Sequence, residues 1–246
     1  MSTDPFAFTN KIALISGGGS GIGAYVTQGL AAAGNGTNRI YIVGRRVAAL
    51  ASTASSSTYA SSIIPLPGDV GTIAGCRKIA VGFVEAEKRA GIAEDEIQLD
   101  LLVNNAGIAR REGHASPEAT VNELAESLLK ASDDDWRDEM AVNVGSIQWL
   151  SACLLPYLVR AASSGKRDGR RSIVVNTSVS AFQPSQSIHL YCASKAGAHS
   201  VAQSLARERM PVGRIGEPED VVAAVVYLAS RSGSYVSGAV IGVSAS

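Results

Sequence analysis

The chain has 246 residues and equal numbers of basic and acidic residues, 22 each, so its formal net charge is zero. A chain of this length suits one large α/β domain, which can bury a substantial core without disulfides. The balanced charge gives no reason to expect a nucleic acid or an anionic membrane surface as a partner. Cys76, Cys153 and Cys192 are too few and too widely spaced for a disulfide framework or a metal site, and we predict no metal.

The first residues, MSTDPFAFTNK, lack the basic and apolar regions of a signal peptide. No apolar run in the sequence is long enough to cross a bilayer. We therefore expect a cytoplasmic protein in a reducing compartment that does not associate with membranes.

Short apolar runs that end at glycine or asparagine alternate with stretches of helical periodicity. The predicted strands are residues 12–16, 39–43, 63–66, 100–103, 172–176 and 238–243. The predicted helices are residues 25–33, 76–90, 137–160, 192–209 and 220–230. This alternation is typical of βαβ units and a parallel sheet, whose strands are apolar throughout because both faces are covered.

Two segments depart from that pattern. Residues 109–134 are polar and acidic, and we predict a surface insertion with a short helix near Val121–Lys130. Residues 51–62 are rich in Ser, Thr and Ala and predict a weak helix or a loop. The acidic run Asp133–Asp135 is interpreted as a helix N-terminal cap before Trp136 rather than as a metal site.

A glycine-rich run, SGGGSGIG at residues 16–23, directly follows the first strand and opens a helix. Phosphate oxygens can approach backbone N–H groups there because few side chains block them, and the helix N-terminus adds aligned donors. A glycine-rich loop without a ligand is the alternative. The predicted phosphate-binding residues are Gly17, Gly19, Ser20, Gly21, Ile22 and Gly23.

The end of the second strand bears on which nicotinamide cofactor would bind. An acidic residue there would bind the ribose 2′-hydroxyl, but this chain has Gly44-Arg45-Arg46. A guanidinium favours a 2′-phosphate, so Arg45 predicts NADP(H) in preference to NAD(H). The alternative is that NAD(H) binds and that the arginines are solvated surface charges. Ser20 supplies no second positive charge, which weakens the argument for NADP(H).

Tyr191 and Lys195 are four residues apart on a predicted helix and therefore project from one face. A nearby ammonium favours the phenolate form, which suits a tyrosine that exchanges a proton with a carbonyl or alcohol oxygen. Ser178, at the end of the fifth strand, can hydrogen-bond the same oxygen, and its spacing favours it over Ser180. A surface tyrosine beside a lysine is the alternative when this pair is taken alone.

Five motifs in this order resemble the classical short-chain dehydrogenase/reductase family: the glycine run, Asp69-Val70, Asn104–Gly107, Asn143 and the Ser178–Tyr191–Lys195 set. The resemblance implies a single Rossmann-like domain over residues 1–246, a doubly wound parallel sheet in three α/β/α layers. It implies an oxidoreductase that interconverts a carbonyl and a secondary alcohol by hydride transfer, and a homodimer or homotetramer formed through the helices at 137–160 and 192–209.

The resemblance also assigns roles to residues. Ser178 would orient the substrate oxygen, Tyr191 would exchange the proton, Lys195 would assist it and bind the nicotinamide ribose, and Asn143 would support a proton-relay water. The family's cofactor cleft implies further contacts from Asp69, Val70, Asn105, Ala106, Gly107, Tyr191 and Lys195. For Asp69, a purely turn-forming role is an equal alternative.

One departure from the family lies near residues 207–214, where the sequence lacks the sixth strand and the substrate lid of the family and a deletion is predicted. The helix that carries Tyr191 and Lys195 runs almost at once into residues 210–219, which resemble the segment that follows the lid. Losing a buried strand would leave backbone groups of its neighbours unpaired. A catalytically inactive nucleotide-binding or scaffold protein is therefore the alternative function, and no residue indicates the identity of the substrate.

Overall fold

The computed structural model describes residues 8–110, 116, 118–163, 172–183, 188–207 and 227. The chain divides into two compact units, residues 8–203 and residues 1–7 with 204–246. All side chains discussed below belong to the first unit. The predicted deletion near 207–214, helix 220–230 and strand 238–243 lie outside the described residues, apart from Arg207, which ends a helix, and Tyr227, which is helical.

Strands and helices alternate along the described residues as predicted. The strands are β1 (Ile12–Ser16), β2 (Arg39–Gly44), β3 (Ile63–Pro67), β4 (Leu101–Asn104) and β5 (Ser172–Val175). The helices are α1 (Gly21–Ala33), α2 (Val47–Ser55), α3 (Ile73–Arg89), α4 (Val121–Leu128), α5 (Asp133–Met140), α6 (Ser146–Ser163) and α7 (His189–Arg207). Each of the first five predicted strands is confirmed to within one residue at either end.

The five described strands form one parallel sheet in the order β3-β2-β1-β4-β5. At the centre, Ile15 of β1 pairs with Ile42 of β2 on one side and with Val103 of β4 on the other. The chain therefore leaves β3 at one edge and returns to the opposite side of β1. In such sheets a crevice opens beyond the carboxyl ends of the strands where the direction of winding reverses. This position lies between β1 and β4.

Helices cover both faces of the sheet, which confirms the predicted three-layer arrangement. On one face, fully buried Leu14 and Leu102 belong to the same apolar cluster as Phe83 of α3 and Leu150 of α6. On the other face, Ile15, Ile42 and Val103 cluster with Ala31 of α1 and Leu50 of α2. The central strands β1, β2 and β4 are almost entirely buried, which agrees with their apolar composition, whereas the outer strands β3 and β5 are partly exposed.

A buried ion pair fastens β2 to α3. The Glu87 carboxylate, 0% exposed, accepts hydrogen bonds from Arg39 Nε at 2.8 Å and Nη2 at 2.6 Å. The Tyr41 hydroxyl donates a further bond of 2.6 Å to Glu87, and burial raises the pKa of Tyr41 above its usual range. The carboxylate is thus bound on both oxygens, as a buried charge requires.

The helix predicted for residues 137–160 is longer and less regular than expected. It begins at Asp133, passes through one π-helical turn at Ala141–Gly145 and continues as α6. The N-cap residue is Ser132, whose Oγ accepts the Asp135 N–H at 3.1 Å, and Asp135 completes a capping box by accepting the Ser132 N–H at 3.2 Å. The acidic run is thus part of the cap as predicted, although the N-cap position itself is the preceding serine. The aspartates occupy the first turn, where the positive end of the helix dipole favours them.

The segment Asp133–Arg160 is 28 residues long and contains a stretch that is long and apolar enough to cross a membrane. The core helix of a soluble protein can have the same length and apolar composition. Leu150, Leu154 and Leu158 of this segment are buried in the core cluster, which accounts for part of its apolar composition.

The two atypical segments contain short helices. The predicted helix near Val121–Lys130 is confirmed as α4, which ends at Leu128 and begins with a capping box between Thr120 and Glu123. The sequence predicted a weak helix or a loop over residues 51–62. In the structure, α2 begins earlier, at Val47, and ends at Ser55, and a single 3-10 turn occupies Ala60–Ser62.

Candidate active site

Two adjoining cavities lie in the crevice between β1 and β4. The first, of about 270 Å³, is lined by residues including Gly17, Gly19, Ser20, Arg45, Asp69, Val70, Ala106 and Gly107. The second, of about 380 Å³, is lined by residues including Gly17, Ser20, Ile22, Asn105, Ala106, Gly107, Asn176, Tyr191 and Lys195. The structure thus brings most of the predicted cofactor-binding residues together with the Tyr191–Lys195 pair.

The glycine run needs its glycines for two physical reasons. Gly17 and Gly21 have positive φ angles of 69° and 53°, a conformation that other residues adopt only with strain. Gly23 is buried in α1, where a Cβ would collide with the carbonyl oxygen of Gly17. Gly21 and Gly23 line neither cavity, so Gly23 serves by allowing the loop and helix to pack closely.

The N-terminus of α1 has N–H groups that no side chain caps. Its cap residue, Ser20, makes no capping hydrogen bond, whereas Thr72, Thr120 and Ser132 cap α3, α4 and α5 through their hydroxyls. A Cβ built on Gly21 would meet no atom within 4 Å, so the backbone there faces open space. Uncapped helix N–H groups beside open space form a favourable position for a phosphate.

Ser16 and Asn105 join the glycine loop to the loop after β4. Buried Ser16 Oγ accepts hydrogen bonds from the backbone N–H groups of Asn105 and Ala106, both at 3.0 Å. Asn105 Nδ2 donates to Ser16 O at 3.1 Å, and Asn105 Oδ1 accepts from Asn176 Nδ2 at 2.9 Å. The Asn105 side chain therefore ties together the carboxyl ends of β1, β4 and β5. The Ser16 hydroxyl joins β1 to the loop after β4, a role that the sequence motif did not reveal.

Both arginines after β2 are exposed at the first cavity. Arg46 Nη2 donates a 3.0 Å hydrogen bond to Ser20 Oγ, which brings a positive charge to the position where the sequence had indicated none. Arg45 lines the same cavity. Asp69 Oδ1 accepts the Gly71 N–H at 2.9 Å, so Asp69 forms a turn and also lines the cavity.

Tyr191 and Lys195 share one face of α7, as their spacing predicts. Lys195 Nζ lies 5.7 Å from the centre of the Tyr191 ring and donates to Asn176 O at 3.3 Å. Lys195 is only 5% exposed. Burial lowers the pKa of its ammonium, and the negative charge of Glu139 opposes that shift. A cation with so little water around it exerts a strong field on its neighbours.

Asn143 lies within the π-helical turn and is 1% exposed. Its side chain accepts the Ile108 N–H at 2.8 Å and donates to Ile108 O at 2.8 Å, so it holds the loop after β4. The same amide donates to Ser194 Oγ at 2.9 Å. Asn143 therefore braces the wall of the second cavity and lines neither cavity.

Ser178 does not join the Tyr191–Lys195 pair on the lining of either cavity. Its hydroxyl accepts the Ser180 N–H at 3.1 Å and caps the 3-10 turn Val179–Ala181. Ser180 is buried, whereas Ser178 is partly exposed. Of the two serines, Ser178 is therefore the more accessible to a ligand.

These features fit a dinucleotide. The uncapped N-terminus of α1 and the open backbone at Gly21 suit its phosphates, and two exposed arginines suit a further phosphate. Within the described parts of the chain, no three His, Cys, Asp or Glu side chains come together as metal ligands.

The family model for short chain dehydrogenase matches residues 11–215, most of the chain. The chain belongs to the short-chain dehydrogenase family. Among curated relatives, it is 28% identical to a rhamnolipid-biosynthesis 3-oxoacyl-[acyl-carrier-protein] reductase of Pseudomonas aeruginosa, over 96% of this chain and 95% of the relative. It is 29% identical to a galactitol 2-dehydrogenase (L-tagatose-forming) of Cereibacter sphaeroides, over 97% and 95%.

Solved structures of other short-chain dehydrogenases share the Rossmann-like fold. The chain resembles Pseudomonas aeruginosa RhlG, solved as an NADP active-site complex, with a TM-score of 0.64, 27% identity and 96% of both chains covered. It resembles a short-chain dehydrogenase of Burkholderia phymatum, solved with NAD, with a TM-score of 0.61 and 25% identity over 81% of this chain and 60% of that one. Complexes with either nicotinamide cofactor thus occur among similar proteins.

Proposed function

We propose that this short-chain dehydrogenase is an NADP(H)-dependent oxidoreductase that interconverts a small-molecule carbonyl and a secondary alcohol. The observation that carries the proposal is the position of Tyr191 and Lys195, which line a cavity directly adjoining the glycine loop and α1. The proposed proton donor and the proposed phosphate-binding loop would then contact one cofactor and the substrate beside it. A bound nicotinamide would supply the hydride for the reduction.

The chain's own residues would handle the proton. Tyr191 would donate it to the carbonyl oxygen during reduction and accept it back during oxidation. Lys195, held by Asn176 O, would stabilise the phenolate left on Tyr191 and hydrogen-bond the ribose. Ser178 would rotate from its local bond with Ser180 to bind the substrate oxygen, and Asn143 would hold the loop that supports a relay water.

The preference for NADP(H) rests on two guanidinium groups beside Ser20. A 2′-phosphate carries negative charge and several acceptor oxygens, which charge-assisted hydrogen bonds from Arg45 and Arg46 would satisfy. The 2′-hydroxyl of NAD(H) would gain little from either group. The relative solved with NADP supports this choice, and the one solved with NAD keeps the comparison of both cofactors necessary.

Thermal unfolding in the presence of each cofactor tests the binding part of the proposal. A ligand that binds only the folded state stabilises it by about 2.7 kcal/mol at one hundred times its Kd. At equal concentration we expect NADPH to raise the midpoint more than NADH does. No shift with either cofactor would contradict the proposed dinucleotide site, and a larger shift with NADH would contradict the role of the arginines.

The Tyr191→Phe variant tests the catalytic part. It removes the acidic hydroxyl and keeps the ring beside Lys195, so we expect turnover to be abolished while the NADPH-induced midpoint shift is retained. Oxidation of NADPH in the presence of a panel of ketones, followed by absorbance, measures the loss. Full activity in Tyr191→Phe would contradict the assignment of Tyr191 as the proton donor.

A nucleotide-binding protein without catalysis is the second candidate. Two observations favour it: Ser178 lines neither cavity, and the alignment with the Pseudomonas aeruginosa reductase extends over 272 positions against a chain of 246 residues. The relative therefore contains residues that this chain lacks. This candidate predicts a midpoint shift with NADPH and no oxidation of NADPH by any ketone of the panel.

We further propose that the enzyme is a homodimer or homotetramer through α6 and α7. Leu150 and Leu154 of α6 are buried in the core and cannot serve an interface, but Leu155 and Val159 are 37% and 52% exposed. Light scattering after size exclusion tests this, with a monomer as the contradicting result.

A further inference from the structure

A fully buried carboxylate, Glu139, contacts Ser194, the residue that precedes Lys195. Glu139, near the end of α5, is 0% exposed and precedes Asn143 by one helical turn. A charged group in such a position is costly unless its oxygens accept hydrogen bonds or a positive charge lies close by. Glu139 takes no part in the reaction proposed above, so its burial calls for an explanation.

The groups around the Glu139 carboxylate are hydrogen-bond donors. Oε2 accepts the backbone N–H of Arg110 at 2.8 Å, and Oε1 lies 3.2 Å from Ser194 Oγ and 3.5 Å from Asn143 Nδ2. The single proton of Ser194 Oγ is shared between Oε1 and the carbonyl oxygen of Tyr191 at 2.9 Å. An ionised carboxylate only accepts hydrogen bonds, so this set of donors favours the charged form.

These contacts connect the carboxylate to two walls of the second cavity. Arg110 follows Gly107, Ile108 and Ala109, which line the second cavity. Ser194 directly precedes Lys195 on α7. Glu139 therefore links α5, the loop after β4 and α7 close to the ammonium.

Within the described residues, Asn143 connects Glu139 to the surroundings of Lys195: its Nδ2 lies 3.5 Å from Glu139 Oε1, and its Oδ1 and Lys195 Nζ both lie beside Gly107. From α7 itself, Tyr191 faces the ammonium; the segment after β5 contributes the Asn176 carbonyl, and the loop after β4 contributes the backbone of Gly107. The Arg110 guanidinium is engaged elsewhere, with Asp138 at 2.8 Å and Asp135 at 3.6 Å. Burial lowers the pKa of Lys195, and Glu139 raises it.

We propose that Glu139 is a positioning residue whose buried negative charge stabilises the Lys195 ammonium in its water-poor surroundings. The juxtaposition of the two groups is independent of the reaction. Only the catalytic value of the charge rests on the proposed function, because there the Lys195 ammonium has to stabilise the phenolate of Tyr191.

The titration of Lys195 tests the proposal without any substrate. In a chain labelled with 13C at the lysine ε-carbons, the Lys195 resonance is the one that is missing in Lys195→Arg. Glu139→Gln keeps the shape of the side chain and removes its charge, so we expect the Lys195 midpoint to fall by on the order of one pH unit. Glu126→Gln, at an exposed carboxylate of α4, is the matched control and should leave the midpoint unchanged. An unchanged midpoint in Glu139→Gln overturns the proposal.

A purely structural role predicts a different outcome in activity. Ser194→Ala breaks hydrogen bonds of the same network and keeps the charge of Glu139. The alkaline limb of the pH profile of ketone reduction should move to lower pH in Glu139→Gln and stay in place in Ser194→Ala and Glu139→Asp. An equal movement in Ser194→Ala overturns the proposal. A wild-type chain that oxidises no NADPH contradicts the proposed function instead, and the lysine titration still decides the role of Glu139.

If Glu139→Gln lacks a cooperative unfolding transition, the wild-type chain provides the test. The Glu139 carboxyl carbon, labelled with 13C and assigned as the resonance that is altered in Glu139→Asp, reports its ionisation directly. An ionised carboxyl at neutral pH supports the proposal, and a protonated one overturns it.

Discussion

Replacing Ser16 with alanine tests how the glycine loop is held against the loop after β4. Ser16 ends β1, is 1% exposed and accepts two backbone hydrogen bonds of 3.0 Å, from Asn105 and Ala106. Alanine keeps the Cβ and removes the oxygen that both N–H groups use. The variant therefore isolates the loss of one acceptor without a large change of volume.

The expected cost follows from those two donors. A buried N–H group left without a partner costs about 1–3 kcal/mol. The loop borders the open crevice, so water can reach part of it, and we expect a total loss of about 2 kcal/mol of unfolding free energy. For a chain of this size, that corresponds to a fall in Tm of about 4–8 °C.

Ser146→Ala is the matched control. Ser146 is also buried, at 3% exposure, but its hydroxyl donates at 2.6 Å to Val142 O of its own helical segment. Its removal leaves no backbone N–H without a partner, and we expect a change within about 0.5 kcal/mol. Urea unfolding followed by circular dichroism compares the two variants. Equal destabilisation by Ser16→Ala and Ser146→Ala would refute the reasoning.

Three further variants test separate parts of the structure. Arg46→Ala should raise the Kd for NADPH about tenfold, through the loss of a charge-assisted hydrogen bond, and leave the Kd for NADH unchanged. Isothermal titration calorimetry measures both constants. An equal rise in the Kd for NADH would contradict the role of Arg46 in binding the 2′-phosphate. Glu87→Gln should lower the unfolding free energy by about 2 kcal/mol in urea, because the buried carboxylate that accepts hydrogen bonds from Arg39 and Tyr41 loses its charge, and a loss below about 0.5 kcal/mol would contradict its contribution. Gly23→Ala should weaken NADPH binding because its Cβ would displace the carbonyl of Gly17. The control is Gly29→Ala in the same helix, where a Cβ would meet no atom within 4 Å, and this variant should bind NADPH normally. Equal binding of NADPH by the two variants would contradict the packing argument.

The positions of the strands along the chain were largely predictable from local sequence. β1 and β2 are apolar runs that stop at glycines, and such runs have few alternatives in a chain whose helical stretches alternate with them. The Tyr191–Lys195 contact followed from the helical repeat alone. In each case the pattern lies within a few residues, so the physical cause is visible in the sequence.

Features that depend on distant partners could not be predicted in this way. The Ser16 hydroxyl bonds to backbone groups 89 and 90 residues further along the chain, and Glu139 meets Ser194 across 55 residues. The sequence predicted one regular helix over residues 137–160, and the π-helical turn at Ala141–Gly145 lies within it. Only the packed structure shows what these residues contact.

The parallel sheet explains why a phosphate-binding loop and a buried lysine meet at one crevice. Every strand ends at the same edge, so the loop after β1 and the segment after β5 emerge on either side of the loop after β4, and Asn105 of that loop bonds to both. That crowded edge also removes water from Lys195, which strengthens its field on a nearby phenolate. The same desolvation works against the ammonium itself. The buried carboxylate of Glu139 opposes that effect, so in the proposed function the field of Lys195 and its dependence on Glu139 have one physical origin.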